Sequence, residues 1–178
     1  MRRLIPLLVA LVPIPATADD CRSVDGARGS VSFEVRQAGS PFRGVFRNFG
    51  GEVCFVQNRV TRIDVWLQPA TADTGLPEVD AALKETEFFA VKEFPRLSFA
   101  SASVEARDGQ QLARGTLDIK GKRHDLDLTF RLQQEERQWI ASGSLTLDRL
   151  RYGIGTGEWA NTKWLGAEVK IVFRAPLR

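Results

Sequence analysis

Residues 112–147 read LARGTLDIKGKRHDLDLTFRLQQEERQWIASGSLTL, and their patterning decides the fold. Leu126, Leu128, Phe130 and Leu132 alternate with Asp127, Thr129 and Arg131. A period of two places one set of side chains on an apolar face and the other in water, the signature of a half-buried strand. Before it, Leu112 to Ile119 sets Gly115, Leu117 and Ile119 on one face, and Gly121-Lys122 makes the turn between the two. After it, the polar tip Gln133 to Gln138 leads into a further strand, Trp139 to Leu147.

The same pattern continues outward. Toward the N-terminus, Asp108-Gly109 is a hairpin signal after a strand at Leu97 to Val104. Arg59 to Leu67 presents Thr61, Ile63, Val65 and Leu67 on one face and Trp66, Arg62 and Asp64 on the other. The Gln57-Asn58 turn precedes it, after a long strand Phe42 to Val56 that Gly50-Gly51 interrupts as a bulge or bend. Val31, Phe33 and Val35 face inward from the first strand, and Gly39-Ser40-Pro41 turns it. Toward the C-terminus, a glycine- and tryptophan-rich loop (Arg149 to Gly166) precedes a last strand with Val169, Ile171 and Phe173 inward. The expected fold is all-β: eight antiparallel strands in an up-and-down, lipocalin-like β-barrel, which removes exposed sheet edges. A short helix over Glu78 to Phe89, stopped by Phe94-Pro95, is expected between the third and fourth strands.

Residues 1–18 read as a secretory signal peptide. Arg2 and Arg3 precede an apolar Leu4 to Ile14 broken by Pro6 and Pro13, and Ala16-Thr17-Ala18 offers a small-residue cleavage site. A buried N-terminal helix is the alternative, and the two prolines speak against it. Asp19-Asp20 directly before Cys21 argues against lipidation. The expected domain is residues 19–178, exported to the periplasm or secreted. Cys21 and Cys54 are the two cysteines. In an oxidising compartment such a pair bonds, with two free thiols as the alternative; a bridge would add about 3–4 kcal/mol by loop entropy.

The composition excludes several functions. The formal charge of +3 falls close to neutrality when Arg2 and Arg3 leave, and acids and bases are interspersed, which speaks against nucleic acid. His124 is the lone histidine, so neither a His-rich metal site nor a bis-histidine haem site can form. It reads as a solvated strand-end residue, and no G-x-S-x-G elbow supports a hydrolase around it. Gly153-Ile-Gly155-Thr-Gly157 lacks the βαβ setting of a dinucleotide site and reads as a rim loop. Eleven phenylalanines and four tryptophans, many at inward positions, suit either a packed core or an aromatic-lined pocket.

Four segments carry a resemblance: Val31-Ser-Phe-Glu-Val with Phe42-Arg-Gly-Val-Phe-Arg-Asn-Phe-Gly-Gly; Leu83 to Phe99 with Phe88-Phe89 and Phe94-Pro95-Arg-Leu-Ser-Phe99; Gly115-Thr-Leu-Asp-Ile-Lys-Gly121; and Leu147-Asp-Arg149-Leu-Arg-Tyr152-Gly-Ile-Gly155 with Trp159. In this order and spacing the chain resembles the YceI-like family of exported lipid-binding proteins. Two positions depart from that family's pattern. Gln37 stands where the first strand often ends in histidine, and Val79-Asp80 where an Arg-Asp pair often precedes the helical leucine.

The resemblance implies no catalytic activity and no cofactor. It implies a barrel whose interior holds an isoprenoid chain, a quinone or a polyprenyl lipid. It leaves room for a membrane electron-transfer partner and for a homodimer. Strand parity nominates Phe33, Val35, Phe46, Ile63, Val65, Leu67, Phe99, Leu117, Leu128, Phe130, Ile171 and Phe173 as ligand-lining. Phe88, Phe89, Arg149, Tyr152 and Trp159 are expected to gather at one end as the mouth.

Overall fold

The computed structural model describes residues 19–178. The leader expected over residues 1–18 lies outside the described residues. One antiparallel sheet contains eleven strands: β1 (Asp20–Ser23), β2 (Ser30–Gln37), β3 (Ser40–Phe46), β4 (Phe49–Val56), β5 (Arg59–Leu67), β6 (Ala72–Asp73), β7 (Leu97–Arg107), β8 (Gln110–Ile119), β9 (Lys122–Glu135), β10 (Gln138–Asp148) and β11 (Leu165–Leu177). Their spatial order is β1-β4-β5-β7-β8-β9-β10-β11-β2-β3-β6.

The sheet curls into a barrel-like roll, and the chain itself joins its two margins. β3 and β4 lie far apart in strand order, yet only Arg47 and Asn48 separate them in sequence. Hydrogen bonds seal the same seam. Asn48 C=O accepts from Gln68 N–H, and Arg47 N–H donates to Thr71 C=O. At the other margin, Ser23 and Arg178 exchange both backbone hydrogen bonds, so β1 reaches the end of β11. The Cys21–Cys54 disulfide joins β1 to β4 at directly opposed positions.

The eight expected strands become eleven for local reasons. The single strand expected over Phe42 to Val56 divides at Arg47-Asn48, where the chain leaves β2 for β5. It does not divide at Gly50-Gly51. Those glycines lie inside β4, and Gly51, at φ 131°, bends the strand against the backbone of Asp64 and Val65. The short β1 and β6 have no alternation long enough to read. Tight turns organise the hairpins: Ala38-Gly39, Gln57-Asn58, Asp108-Gly109 and Lys120-Gly121 all take positive φ at both central residues. That is the type I′ geometry whose twist matches the flanking strands.

A β-bulge accounts for one parity error. The register shifts between Cys54 and Phe55, which pair with Arg62 and Val60. Thr61, expected inward, is therefore exposed, and Val60 takes its place in the core. The helix α1 is also shorter than expected, Pro77–Ala82. Pro77 starts it, and the chain to Phe94 continues as turns, with Ala90 at φ 47°. The Asp80 carboxylate fastens α1 by accepting from Thr74 N–H and Thr74 Oγ.

Candidate functional site

The barrel is packed at one end and hollow toward the other. At the end carrying the Gln57-Asn58, Asp108-Gly109 and Glu136 turns, Phe55, Val60 and Ala113 are buried, and the Phe55 ring lies 6.2 Å from Trp139. Beyond them opens a cavity of about 600 Å³. Its wall is almost wholly hydrocarbon; the polar or ionisable side chains on it are Gln37, Glu78, Ser98, Arg149 and Tyr152, with the indole N–H groups of Trp66 and Trp159.

Each residue nominated from the sequence borders this cavity. β2 supplies Phe33 and Val35, and β3 supplies Phe46. β5 supplies Ile63, Val65 and Leu67, and β7 and β8 supply Phe99 and Leu117. β9 supplies Leu128 and Phe130, and β11 supplies Ile171 and Phe173. Leu126, Leu145, Leu147 and Val169 share their parity and belong with them; alternation already sets Leu126 and Val169 on the inner face, and could have found Leu145 and Leu147. Along β9 to β11 most inward side chains, Leu126, Leu128, Leu145, Leu147, Val169, Ile171 and Phe173, are only half-buried, although outward neighbours in the same strands are the ones facing bulk water. Their accessible area faces the hollow.

Glycine shapes the wall at two points. A Cβ at Gly44 would collide with the Phe33 ring, and one at Gly143 would lie 2.9 Å from the Phe173 ring. Each phenylalanine thus lies flat against its neighbouring strand instead of crossing the hollow. Trp66 borders the cavity too, a residue that alternation assigned to the other face. It packs over Gly50, and the Arg96 guanidinium stands 4.5 Å from its ring.

Two long loops close the hollow end, and they do meet. Phe88 and Trp159 rings are 5.6 Å apart, Phe46 and Phe89 are 6.0 Å apart, and Gly155 and Thr156 N–H groups both donate to Glu87 C=O. Lys120 Nζ stitches them further by donating to Thr86 and Gly153 C=O. Burial, aided by the Lys122 charge, lowers the Lys120 pKa against the pull of Glu87 and Glu93.

The gathering of Phe88, Phe89, Arg149, Tyr152 and Trp159 is a cap rather than the expected open mouth. Phe88, Phe89, Arg149 and Tyr152 are all buried, and only Trp159 is half exposed. Arg149 is fully committed to this cap. Its Nε donates to Gly166 C=O, Nη1 to Ile154 and Gly155 C=O, and Nη2 to Trp159 and Leu165 C=O. A guanidinium has five N–H donors, so none remains to read a ligand's head group. Burial pulls its pKa down, partly offset by Asp148. No carboxylate among the described residues makes an ion pair with it.

The solvent-facing part of the wall lies elsewhere. Gln37 and Glu78 are exposed and Phe42, Val79 and Leu83 half-buried, so the rim runs between the end of β2, the start of β3 and α1. Nothing in strand alternation pointed to it, because it forms where a hairpin end and a helix from distant sequence come together. His124 is half-buried, with its ring 5.0 Å edge-on to Tyr152 and Nε2 3.2 Å from Arg151 C=O, and it does not border the cavity. Cys21, Glu52 and Cys54 are clustered, but both sulfurs are spent on the disulfide.

Comparisons with known proteins agree on one family. A UPF0312 protein of Enterobacter sp. (strain 638) is 30% identical over 112 residues, covering 61% of this chain and 58% of that protein. Protein YceI of Salmonella arizonae is 27% identical over 119 residues, covering 65% and 62%. The match thus spans about three fifths of the length of these curated relatives. The crystal structure of Burkholderia cenocepacia BcnA superposes with a TM-score of 0.81 at 26% identity, covering 86% of this chain and 98% of that one. A polyisoprenoid binding domain from Saccharophagus degradans implicated in plant cell wall breakdown shares the fold with a TM-score of 0.72 at 12% identity, over 88% and 97%. The model of the YceI-like domain matches residues 23–177, and the chain belongs to that family.

Proposed function

We propose that the protein is an exported lipid-binding protein that holds a long isoprenoid chain, a quinone or polyprenyl lipid, inside its barrel for transport or storage. The observation that carries this reading is the cavity: about 600 Å³ of space walled by hydrocarbon, in a fold shared with a polyisoprenoid binding domain. Pockets of this size suit small molecules. Moving roughly 500 Å² of tail out of water gains on the order of 12 kcal/mol gross at about 25 cal/mol per Å². Association and tail ordering take back at least ~4 kcal/mol. Tight binding then needs no ionic contact, and cavity length and shape select the tail. The disulfide supports an oxidising compartment, and so the periplasm or the exterior.

Organic extraction of protein purified from the cell envelope, followed by mass spectrometry, tests the reading. The expected result is an isoprenoid co-purifying in near-stoichiometric amount. Repeated recovery of empty protein that also fails to take up an added prenylated quinone would overturn it in favour of an interaction module.

A further inference from the structure

Within the cap, one polar group is left unused. Tyr152 is 3% exposed and borders the cavity. Buried tyrosine hydroxyls ordinarily find a partner. The hydrogen bonds nearby run between His124 and Arg151 and leave the phenol out. Among the described residues no side-chain polar atom is sealed in protein without a partner. The unpaired hydroxyl therefore keeps accessible surface, on a residue that borders the cavity. His124 packs edge-on against its ring and fixes its orientation.

Arg149 borders the same stretch of wall as a buried cation whose donors are spent on carbonyls and which has no ion-pair partner among the described residues. Its positive charge still acts across the low-dielectric interior and favours electron-rich atoms there. This end of an otherwise apolar cavity thus offers two neutral donor groups, the Tyr152 hydroxyl and the Trp159 indole N–H, and a positive potential.

We propose that the Tyr152 hydroxyl is the ligand-reading donor of this cavity, and that it takes an isoprenoid carrying a neutral oxygen acceptor, a quinone carbonyl or a prenyl alcohol oxygen, seated against the capped end. The proposal rests on the lipid-binding reading above. A phosphate or diphosphate head fits poorly here. It would bring several acceptors to at most two neutral donors, Tyr152 O–H and Trp159 N–H, and an under-paired anion in an apolar cavity is heavily penalised. A pure hydrocarbon leaves the hydroxyl unpaired and forfeits the contribution of that hydrogen bond.

The test compares wild type with Tyr152→Phe, which removes one oxygen and keeps the ring. Four probes are titrated by displacement of a fluorescent lipid: a quinone with a short prenyl tail, a prenyl alcohol, squalene and a prenyl phosphate. The expected result is a roughly tenfold weaker Kd of the variant for the quinone, the alcohol or both, with squalene unchanged. The prenyl phosphate is expected to bind wild type more weakly than the quinone. The carbonyl stretch of bound quinone should lie lower in wild type than in the variant, a signature that a merely structural tyrosine would not produce. Equal binding of both oxygenated probes to the two proteins overturns the proposal, as does phosphate binding tightest of all. Wild type that binds squalene but neither oxygenated probe would leave the lipid-binding reading standing and sink this one. Failure of every probe to bind wild type would sink both.

Discussion

The two ends of the barrel are built from the same strands and held by different forces. At the packed end, Phe55, Val60, Ala113 and Trp139 fill the interior, and close packing of apolar side chains supplies the cohesion. At the hollow end, the inward side chains of β9 to β11 touch space on one side, so packing contributes less there. Order instead comes from polar ties between loops: the five bonds of Arg149, the two of Lys120, and the paired donation of Gly155 and Thr156 to Glu87. A protein that must keep its interior open transfers cohesion from the core to a hydrogen-bonded lid.

This contrast ranks four sets of substitutions. Arg149→Leu should have the largest effect. It strips five carbonyls of their donor, two of them in fully buried bonds, at about 1–3 kcal/mol for each buried group left unpaired and less for the part-buried three, so a loss of about 5 kcal/mol is expected in urea denaturation. Arg149→Lys should not rescue it, since an ammonium offers three donors without the planar fork. A small loss would mean that the lid is held by its aromatics alone.

Next comes a matched pair. Phe55→Ala, at the packed end, should lower stability by about 3–5 kcal/mol, whereas Leu128→Ala, on the hollow wall, should cost only about 1 kcal/mol while changing lipid retention. Equal losses would erase the distinction between the ends. Replacing both Cys21 and Cys54 with alanine should follow, at about 3–4 kcal/mol of destabilisation, with the cavity and its uptake of lipid unaltered.

The smallest effect concerns the seam between β3 and β4. The Arg47 guanidinium, with the N–H of Gly75, holds the exposed Asp73 carboxyl below its ordinary pKa. A depressed folded-state pKa means stability that is present above the unfolded value and lost as pH falls through the folded one. Asp73→Asn should therefore lower stability slightly at neutral pH, leave strongly acid pH nearly unchanged, and so flatten the acid limb of the stability curve, which thermal melts from acid to neutral pH would register.

Much of this architecture was legible in sequence, and the errors have physical causes. Alternation placed Leu128, Phe130, Ile171 and Phe173 on the inner wall correctly, because parity is rigid along an unbroken strand. It failed at Thr61, where a bulge shifts the parity without altering the composition. It read Phe42 to Val56 as one strand with a bulge or bend at Gly50-Gly51, because glycine is the louder signal, and missed the break at Arg47-Asn48, which is set by which partner each half pairs with. Motif spacing brought Phe88, Tyr152 and Trp159 together, but it could not reveal that the group is a lid, since burial depends on what two distant loops do to each other. Nor could it reveal the hollow. An apolar wall facing space and an apolar wall facing other side chains are written in the same residues.

The glycines opposite Phe33 and Phe173 give that last point a practical form. They act as recesses into which two rings are folded away, so the bore of the barrel is set by hydrogen atoms at positions 44 and 143. Alanine at either place would swing a ring toward the lumen and shorten the tail that fits. At position 143 the added methyl would also press on the Thr129 carbonyl of β9, whereas at position 44 it meets side chains alone, those of Phe33 and Thr74, so position 44 is the freer place to narrow the bore.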